Sequence, residues 1–183
     1  MKLKYKLTAN LVASSIIPMI FLGMIAYSNA EFAARERIFV DLNAIADRYT
    51  DRIDNYLEKG GSEQSLWSIL RDNTGLRETG EVLVVKRDRE GNIRFLAASR
   101  SDEPASTLEV ISRNRTELPI HHALQQEEKN FANLVDYRGI PVFSVTRYIE
   151  DYDWGLSVQI DQDEVMSSLY TLKVTLVVMG TIV

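Results

Sequence analysis

From Leu7 to Ala30 the chain reads LTANLVASSIIPMIFLGMIAYSNA, without a charged residue, and Lys2, Lys4 and Lys6 stand directly before it. A helix needs about 20 predominantly apolar residues to cross a bilayer core of roughly 30 Å, so this run is long enough to span. Thr8, Asn10, Ser14 and Ser15 are small enough to bond their own helix backbone, and Pro18 is tolerated in membrane helices better than in soluble ones. Lysines ahead of a span keep the N-terminus in the cytoplasm, which sends the chain after Ala30 to the outside. Ser28-Asn29-Ala30 before Glu31 also has the small-x-small form of a signal-peptidase site. The run exceeds the usual h-region of about 7 to 15 residues, which favours an anchor over a cleaved signal.

A second apolar run, Val174 to Val183, closes the sequence. As a helix it covers about 15 Å, which is half of a bilayer. It is expected to be the first half of a second span within residues 168–183, with Lys173 snorkelling at its outer edge. The alternative is a short packed helix end. Residues 1–30 are then the cytoplasmic tip and first span, and residues 31–167 one extracytoplasmic domain of ordinary size. From Glu31 to Glu164, 17 Lys and Arg against 26 Asp and Glu leave a net charge of −9, which excludes a nucleic-acid partner because phosphate binding needs clustered cations. There is no cysteine, hence neither a disulfide framework nor a thiolate metal site.

After the first run the pattern becomes helical and amphipathic. Leu42, Ile45, Ala46, Tyr49, Ile53, Tyr56 and Leu57 recur at spacings of three and four, and Gly60-Gly61 ends the helix. This stalk helix continues directly from the span. A short helix from about Ser62 to Arg71 and a turn at Asn73-Thr74-Gly75 follow. EVLVVKR and NIRFLAAS then form a hairpin over DREG. Ser101 to Pro119 is a polar excursion with one helical turn expected around Leu108 to Ser112, and HHALQQEEKN is expected to be a helix opened by Pro119. FANLVDY, IPVFSVTRYI and WGLSVQID, separated by short connections, form an antiparallel meander.

Parity assigns the meander two faces. A two-residue turn at Arg138-Gly139 sets Tyr137 opposite Ile140, Val135 opposite Val142 and Asn133 opposite Ser144. A four-residue second loop sets Ile149 opposite Trp154, Val145 opposite Val158 and Phe143 opposite Ile160. One face is then apolar (Ala132, Leu134, Phe143, Val145, Ile149, Trp154, Leu156, Val158, Ile160) and belongs against the stalk. Arg147 is its odd member, expected to snorkel or to pair with Asp136. The other face carries Phe131, Asn133, Tyr137, Ser144, Thr146, Tyr148, Ser157 and Gln159. A solvated face would carry Lys, Glu and Arg instead. Small hydroxyls, amides and phenols suit a small polar ligand. They suit equally a half-buried face covered by the excursion. The candidate ligand-binding residues are Asn133, Tyr137, Ser144, Thr146 and Tyr148, joined by Arg100, which with Arg94 is placed to hold a carboxylate.

Catalytic motifs are missing. His121 and His122 are the two histidines, about 100° apart on a helix, and read as a surface or loop pair rather than metal ligands. No G-x-S-x-G, H-E-x-x-H, P-loop or G-x-G-x-x-G occurs, and no cofactor is implied. Asp88 to Asn92 and Asp161 to Glu164 lack the glycine and twelfth-position Glu of a calcium loop; they read as a hairpin turn and as a helix N-terminus capped by Asp161.

Two blocks carry a family likeness: GLRETGEVLVVKRDREGNIRFL, and DYRGIPVFSVTRYIEDYDWGLSVQIDQDEV leading to the second apolar run. With a span and a long helix ahead of them, the chain resembles the extracytoplasmic PAS-like (Cache-type) sensor domains of bacterial transmembrane receptors. Sensor histidine kinases are the nearest in kind, and diguanylate cyclases and chemoreceptors share the input part. The likeness covers Glu31 onward, least from Ser101 to Asn130. It implies an α+β fold: a PAS-like five-stranded antiparallel sheet with a long N-terminal stalk helix, flanked by two transmembrane helices. It further implies an inner-membrane, multi-pass location, an extracytoplasmic small-molecule ligand, a homodimer through stalk and transmembrane helices, and a cytoplasmic effector. The Arg and Trp-Tyr signature of amino-acid-binding Cache domains is absent, so the likeness names no ligand. An anchored or secreted binding module without an effector is the rival expectation.

Overall fold

The computed structural model describes residues 2–70, 74–100, 110–167, 169–170 and 173–174. The chain divides into two compact units, residues 1–36 with 165–183, and residues 37–164.

The first unit holds the N-terminal part of helix α1 (Lys2–Glu58). From Ile17, α1 is long and apolar enough to cross a membrane, with a mean hydropathy of 1.3 over its most apolar stretch. Met19, Ile20, Phe21, Leu22, Met24 and Ile25 are all exposed, and steps of about 100° carry them round the whole helix. A helix apolar on every side suits hydrocarbon better than water. It is the one candidate span among the described residues. Residues 169–170 and 173–174 are helical, and Lys173 Nζ lies 5.8 Å from the centre of the Tyr27 ring. The expected second span otherwise falls outside the described residues.

In the second unit, α1 buries Ile38, Leu42, Ile45, Ala46, Tyr49 and Ile53, so the stripe read from the sequence gains Ile38 one turn earlier, while Tyr56 and Leu57 at its end are only half-buried. It ends in a paired glycine motif. Gly61 N donates to Tyr56 O and Gly60 N to Leu57 O, with Gly60 at φ +84°, a conformation in which a side chain would strain the backbone. A 3-10 turn (Glu63–Ser65) and α2 (Leu66–Leu70) follow as expected.

Strands β1 (Glu81–Arg87), β2 (Ile93–Ala98), β3 (Asn130–Val135), β4 (Pro141–Ile149) and β5 (Trp154–Asp161) form one antiparallel sheet in the order β2-β1-β5-β4-β3. The first and last strands are thus neighbours at its centre, which sets the start of β1 beside the end of β5. Glu81 consequently pairs with Gln159. Helix α1 packs on the face carrying Phe143, Val145, Ile149, Val158 and Ile160: Phe39 meets Phe143 edge-on at 5.7 Å, and Arg147 donates to Asp47 (2.9 Å) and Asn43 (2.7 Å).

The β4–β5 pairing is the expected one, Ile149 with Trp154, Val145 with Val158 and Phe143 with Ile160. The β3–β4 hairpin is not. Its loop has three residues: Asp136 N donates to Ile140 O, Gly139 N donates to Asp136 O, and Gly139 takes φ +82°. This is a type I turn closed by a glycine bulge. One extra loop residue reverses parity, so Val135 pairs with Pro141 and Leu134 with Val142; a bulge between Phe131 and Leu134 restores it, setting Phe131 opposite Ser144. Leu134 therefore leaves the α1 face and Asn133 is not opposite Ser144.

Four further expectations are corrected. Arg147 pairs with Asp47 on α1, not Asp136, because Asp136 is engaged by its own turn and by Arg138. Ile111 is extended, in a single antiparallel bridge with Ile93, where a helical turn was expected; residues 101–109 lie outside the described residues. Helix α3 (Pro119–Ala123) stops early because Gln126 turns left-handed at φ +64° and Glu127 N returns to His122 O. The Asp161 carboxylate accepts from Arg138, and Glu164 bonds back to Glu78 and Thr79. Asn73 of the expected turn also lies outside the described residues.

Candidate functional site

The sheet face turned away from α1 has two parts. At one end α3 sits directly on Gly155, where an added Cβ would meet Ala123 Cβ at 2.9 Å and Leu124 N at 3.1 Å. Leu118, Ile120 and Leu124 from this segment close an apolar cluster with Leu83, Val85, Ile93 and Phe95. At the other end the row running across β1, β5 and β4 is polar: Glu81, Gln159 and Ser144, with Ser157 one step along. All four are at most 1% exposed. Buried polar groups cost stability unless bonded, so the partners of this row matter.

Tyr137 lies over the row. It belongs to the β3–β4 turn, and its hydroxyl reaches the Glu81 carboxylate at 3.1 and 3.4 Å while its ring meets Phe95 edge-on at 5.3 Å. Gln159 Nε2 donates to Glu81 Oε2 at 3.3 Å, and the Ser144 and Ser157 hydroxyls bond each other at 2.9 Å. Burial raises the Glu81 pKa above the usual carboxylate value, against the pull of Arg138 and of the Tyr137 and Gln159 bonds. The Tyr137 phenol is pushed up to about 12 by burial and then by the Glu81 charge, so it stays a donor at all ordinary pH.

Of the residues singled out from the sequence, Tyr137 and Ser144 converge here. Thr146 is fully buried on the same face but is committed to structure: its hydroxyl donates to Glu127 O at 2.5 Å and accepts from Lys129 N at 3.1 Å. Tyr148 donates to Asp153 Oδ1 at the β4–β5 loop (2.8 Å), and Asn133 is exposed in the β3 bulge. Arg100 is exposed and donates to Thr79 O at 3.2 Å, with its charge felt at Glu81. Arg94 is exposed on β2. Sequence reasoning placed Gln159 on this face without assigning it a role, and it missed Glu81. The available signal was a carboxylate opening an otherwise apolar strand, EVLVV.

Arg138 ties this site to the end of β5. It donates to Asp136 Oδ2 (2.6 Å) and Asp161 Oδ1 (2.9 Å). Thr79 accepts from Asp161 N and donates to Glu164, and residues 162–167 are helical from there.

His121, read as a surface group, is instead 5% exposed in α3, and neither ring nitrogen has a hydrogen-bond partner. Burial and then the Arg87 charge lower its pKa. His122 bonds Glu127 at 3.3 Å. No cluster of three metal-ligating side chains occurs among the described residues. An open depression lined by Arg48, Asp51, Arg52, Asn55, Tyr56 and Lys59 belongs to α1 alone and does not reach the polar row.

Compared with protein-family models, with curated proteins and with solved structures, the chain has no match.

Proposed function

We propose that this chain is the sensory input part of a two-span, inner-membrane receptor, with a PAS-like domain at residues 31–167 outside the membrane. It detects a small molecule there and signals to a cytoplasmic effector, a histidine kinase in the first instance. A cyclase or chemoreceptor would use the same input. The observation that carries the reading is the fully buried polar row under Tyr137. The all-round apolar exposure of α1 between Ile17 and Ile25 supports the anchor.

Signal output follows from two adjacent turn residues. Tyr137 holds Glu81, and Arg138 clasps Asp161, the last residue of β5. A ligand that displaces Tyr137 pulls on the Arg138 clasp where the helical segment toward the second span begins. Two copies pair through their stalk and span helices, on which Val40 stands exposed. This coupling is a two-state proposal: ligand must bind one arrangement of the turn more tightly than the other.

The test uses the full chain in lipid nanodiscs and a library of small polar compounds, read by thermal melting. A hit that raises the melting temperature in the native protein and fails to do so in Tyr137→Ala and Ser144→Ala supports the site. A shift that survives in both variants removes this face from the reading. Topology is tested separately. Since the chain lacks cysteine, Arg89→Cys is expected to react with an impermeant maleimide from outside intact spheroplasts and Lys4→Cys is not; the reverse pattern overturns the extracytoplasmic assignment.

A further inference from the structure

The hydrogen-bond inventory of the polar row is unbalanced. Glu81 offers a carboxylate with roughly four acceptor positions, and receives the Tyr137 hydroxyl and one Gln159 N–H. That second bond fixes the Gln159 amide: Nε2 must face the carboxylate, which turns Oε1 away. Oε1 is buried and has no partner. Ser144 and Ser157 bond each other, and the hydroxyl hydrogen that this leaves over does not reach Gln159 Oε1. Arg100 and Arg138 act on Glu81 through their charge, and the hydrogen bonds they make go to Thr79 and to Asp136 and Asp161. What Glu81 and Gln159 Oε1 lack is a donor placed between them, and the one ionisable member of the row is an acid.

Water could fill one acceptor position without addressing the buried charge. A protonated primary amine addresses both, since it brings three N–H donors and a positive charge in a small volume. The net charge of −9 over residues 31–164 raises the local concentration of cations outside the membrane. Access is through Tyr137. It is half-buried where Glu81, Gln159, Ser144 and Ser157 are fully buried, and it is carried by a three-residue turn in which a Cβ added at Gly139 would meet nothing within 4 Å. The Tyr137 and Phe95 rings, 5.3 Å apart, offer aromatic faces to a cation once the hydroxyl has moved.

We propose that the Glu81–Gln159 row is a site for a small organic cation with a primary ammonium group, which takes the place of the Tyr137 hydroxyl on Glu81 and donates to Gln159 Oε1. The inference rests on the reading of this face as the ligand face. It adds the chemical class of the ligand and the group that the ligand displaces.

The experiment is calorimetric titration of the full chain in nanodiscs with methylammonium, ethanolamine and putrescine. Sodium chloride at matched ionic strength, acetate and succinate serve as controls. Binding of at least one amine is expected, at least tenfold weaker in Glu81→Gln and in Gln159→Met, with both variants keeping a cooperative melt. Tyr137→Phe is expected to bind severalfold more tightly, because the ring stays and the competing hydroxyl is gone. Weaker binding in Tyr137→Phe overturns the displacement. Heat from acetate or succinate and none from the amines overturns the ligand class while leaving the ligand face standing. An equal response to sodium reduces the effect to screening and also overturns it. Absence of binding by all three amines to a folded chain overturns the inference. The broader reading is lost only if the library screen against Tyr137→Ala and Ser144→Ala fails as well.

Discussion

Tyr137 donates its hydroxyl to the buried carboxylate of Glu81, 3.1 Å away and 56 residues earlier in the chain. The contact joins a surface turn to the centre of the sheet, and the Tyr137 ring bridges the apolar and polar halves of one face. Several measurements follow from it and from its surroundings.

Glu81 should make the fold lose stability as pH rises, a loss that its neutral replacement does not share. Its folded pKa lies above the unfolded value of about 4.3 because burial penalises the charge. The folded state therefore keeps the proton longer. This contribution is fully present below the unfolded pKa and is lost as pH rises through the folded one. Melting curves of native protein and Glu81→Gln between pH 4 and 8 are expected to diverge as pH rises, with the variant the more stable at pH 8. Parallel curves would mean that the carboxyl is not desolvated.

His121 acts in the opposite sense. Buried without a hydrogen-bond partner, and with Arg87 and His122 opposing a positive charge more than Glu117 and Glu127 favour it, its folded pKa lies below about 6.5. Stability is then lost as pH falls from that value toward the folded pKa. His121→Leu should remove the loss, so that the difference between the two proteins' melting temperatures changes below pH 6.5 and is flat above it. An NMR titration of the His121 ring checks the same point directly, and a midpoint above 6.5 would contradict it.

Two glycines separate close packing from backbone strain. Gly155→Ala pushes a methyl group into Ala123 and the backbone of Leu124, and overpacking of this kind costs about 1–3 kcal/mol. Gly139→Ala meets nothing within 4 Å and pays only for its φ of +82°, about 1 kcal/mol. Denaturant midpoints rank the two. Gly155→Ala should also loosen α3, seen as faster amide exchange from Leu118 to Leu124, which Gly139→Ala leaves unchanged.

The α1–sheet contact has an ionic component of modest size. Arg147 donates to Asp47, which is 64% exposed, and to the Asn43 side chain. Asp47→Ala is expected to cost under about 1 kcal/mol because the carboxylate is largely solvated. Arg147→Ala should cost more, since the stem of the arginine is lost along with its bonds to Asp47, Asn43 and Thr146 O. A double-mutant cycle with Asp136→Ala in place of Asp47→Ala should show no coupling to Arg147.

Helix α1 and the five strands were legible in the chain, whereas the extended Ile111 and the early end of α3 were not. Helix periodicity gave the α1 stripe from Leu42 to Ile53, and strict alternation gave the β4–β5 pairing residue by residue, because both follow from the geometry of one chain segment and its nearest neighbour. The β3–β4 turn was misjudged by one residue. Arg138-Gly139 fits a two-residue loop by composition, and only the Asp136 carboxylate, accepting from the Arg138 and Ile140 amides, selects the longer one. That one residue moved Asn133 out of the candidate site.

The uncharged run from Leu7, the net charge of −9 between Glu31 and Glu164, the lack of cysteine and an antiparallel sheet behind a long helix were determined by sequence alone, since each depends on composition or on short-range periodicity. Which side chains share a site was decided by tertiary structure. Glu81 and Gln159 lie 78 residues apart and meet because β1 and β5 are neighbours at the centre of the sheet, a placement set by the crossover from β2 to β3. His121 is buried because α3 docks on Gly155, and no local pattern in the sequence encodes that approach. Strand order and docking are long-range outcomes of packing, and burial in turn decides which acids and imidazoles keep their charge.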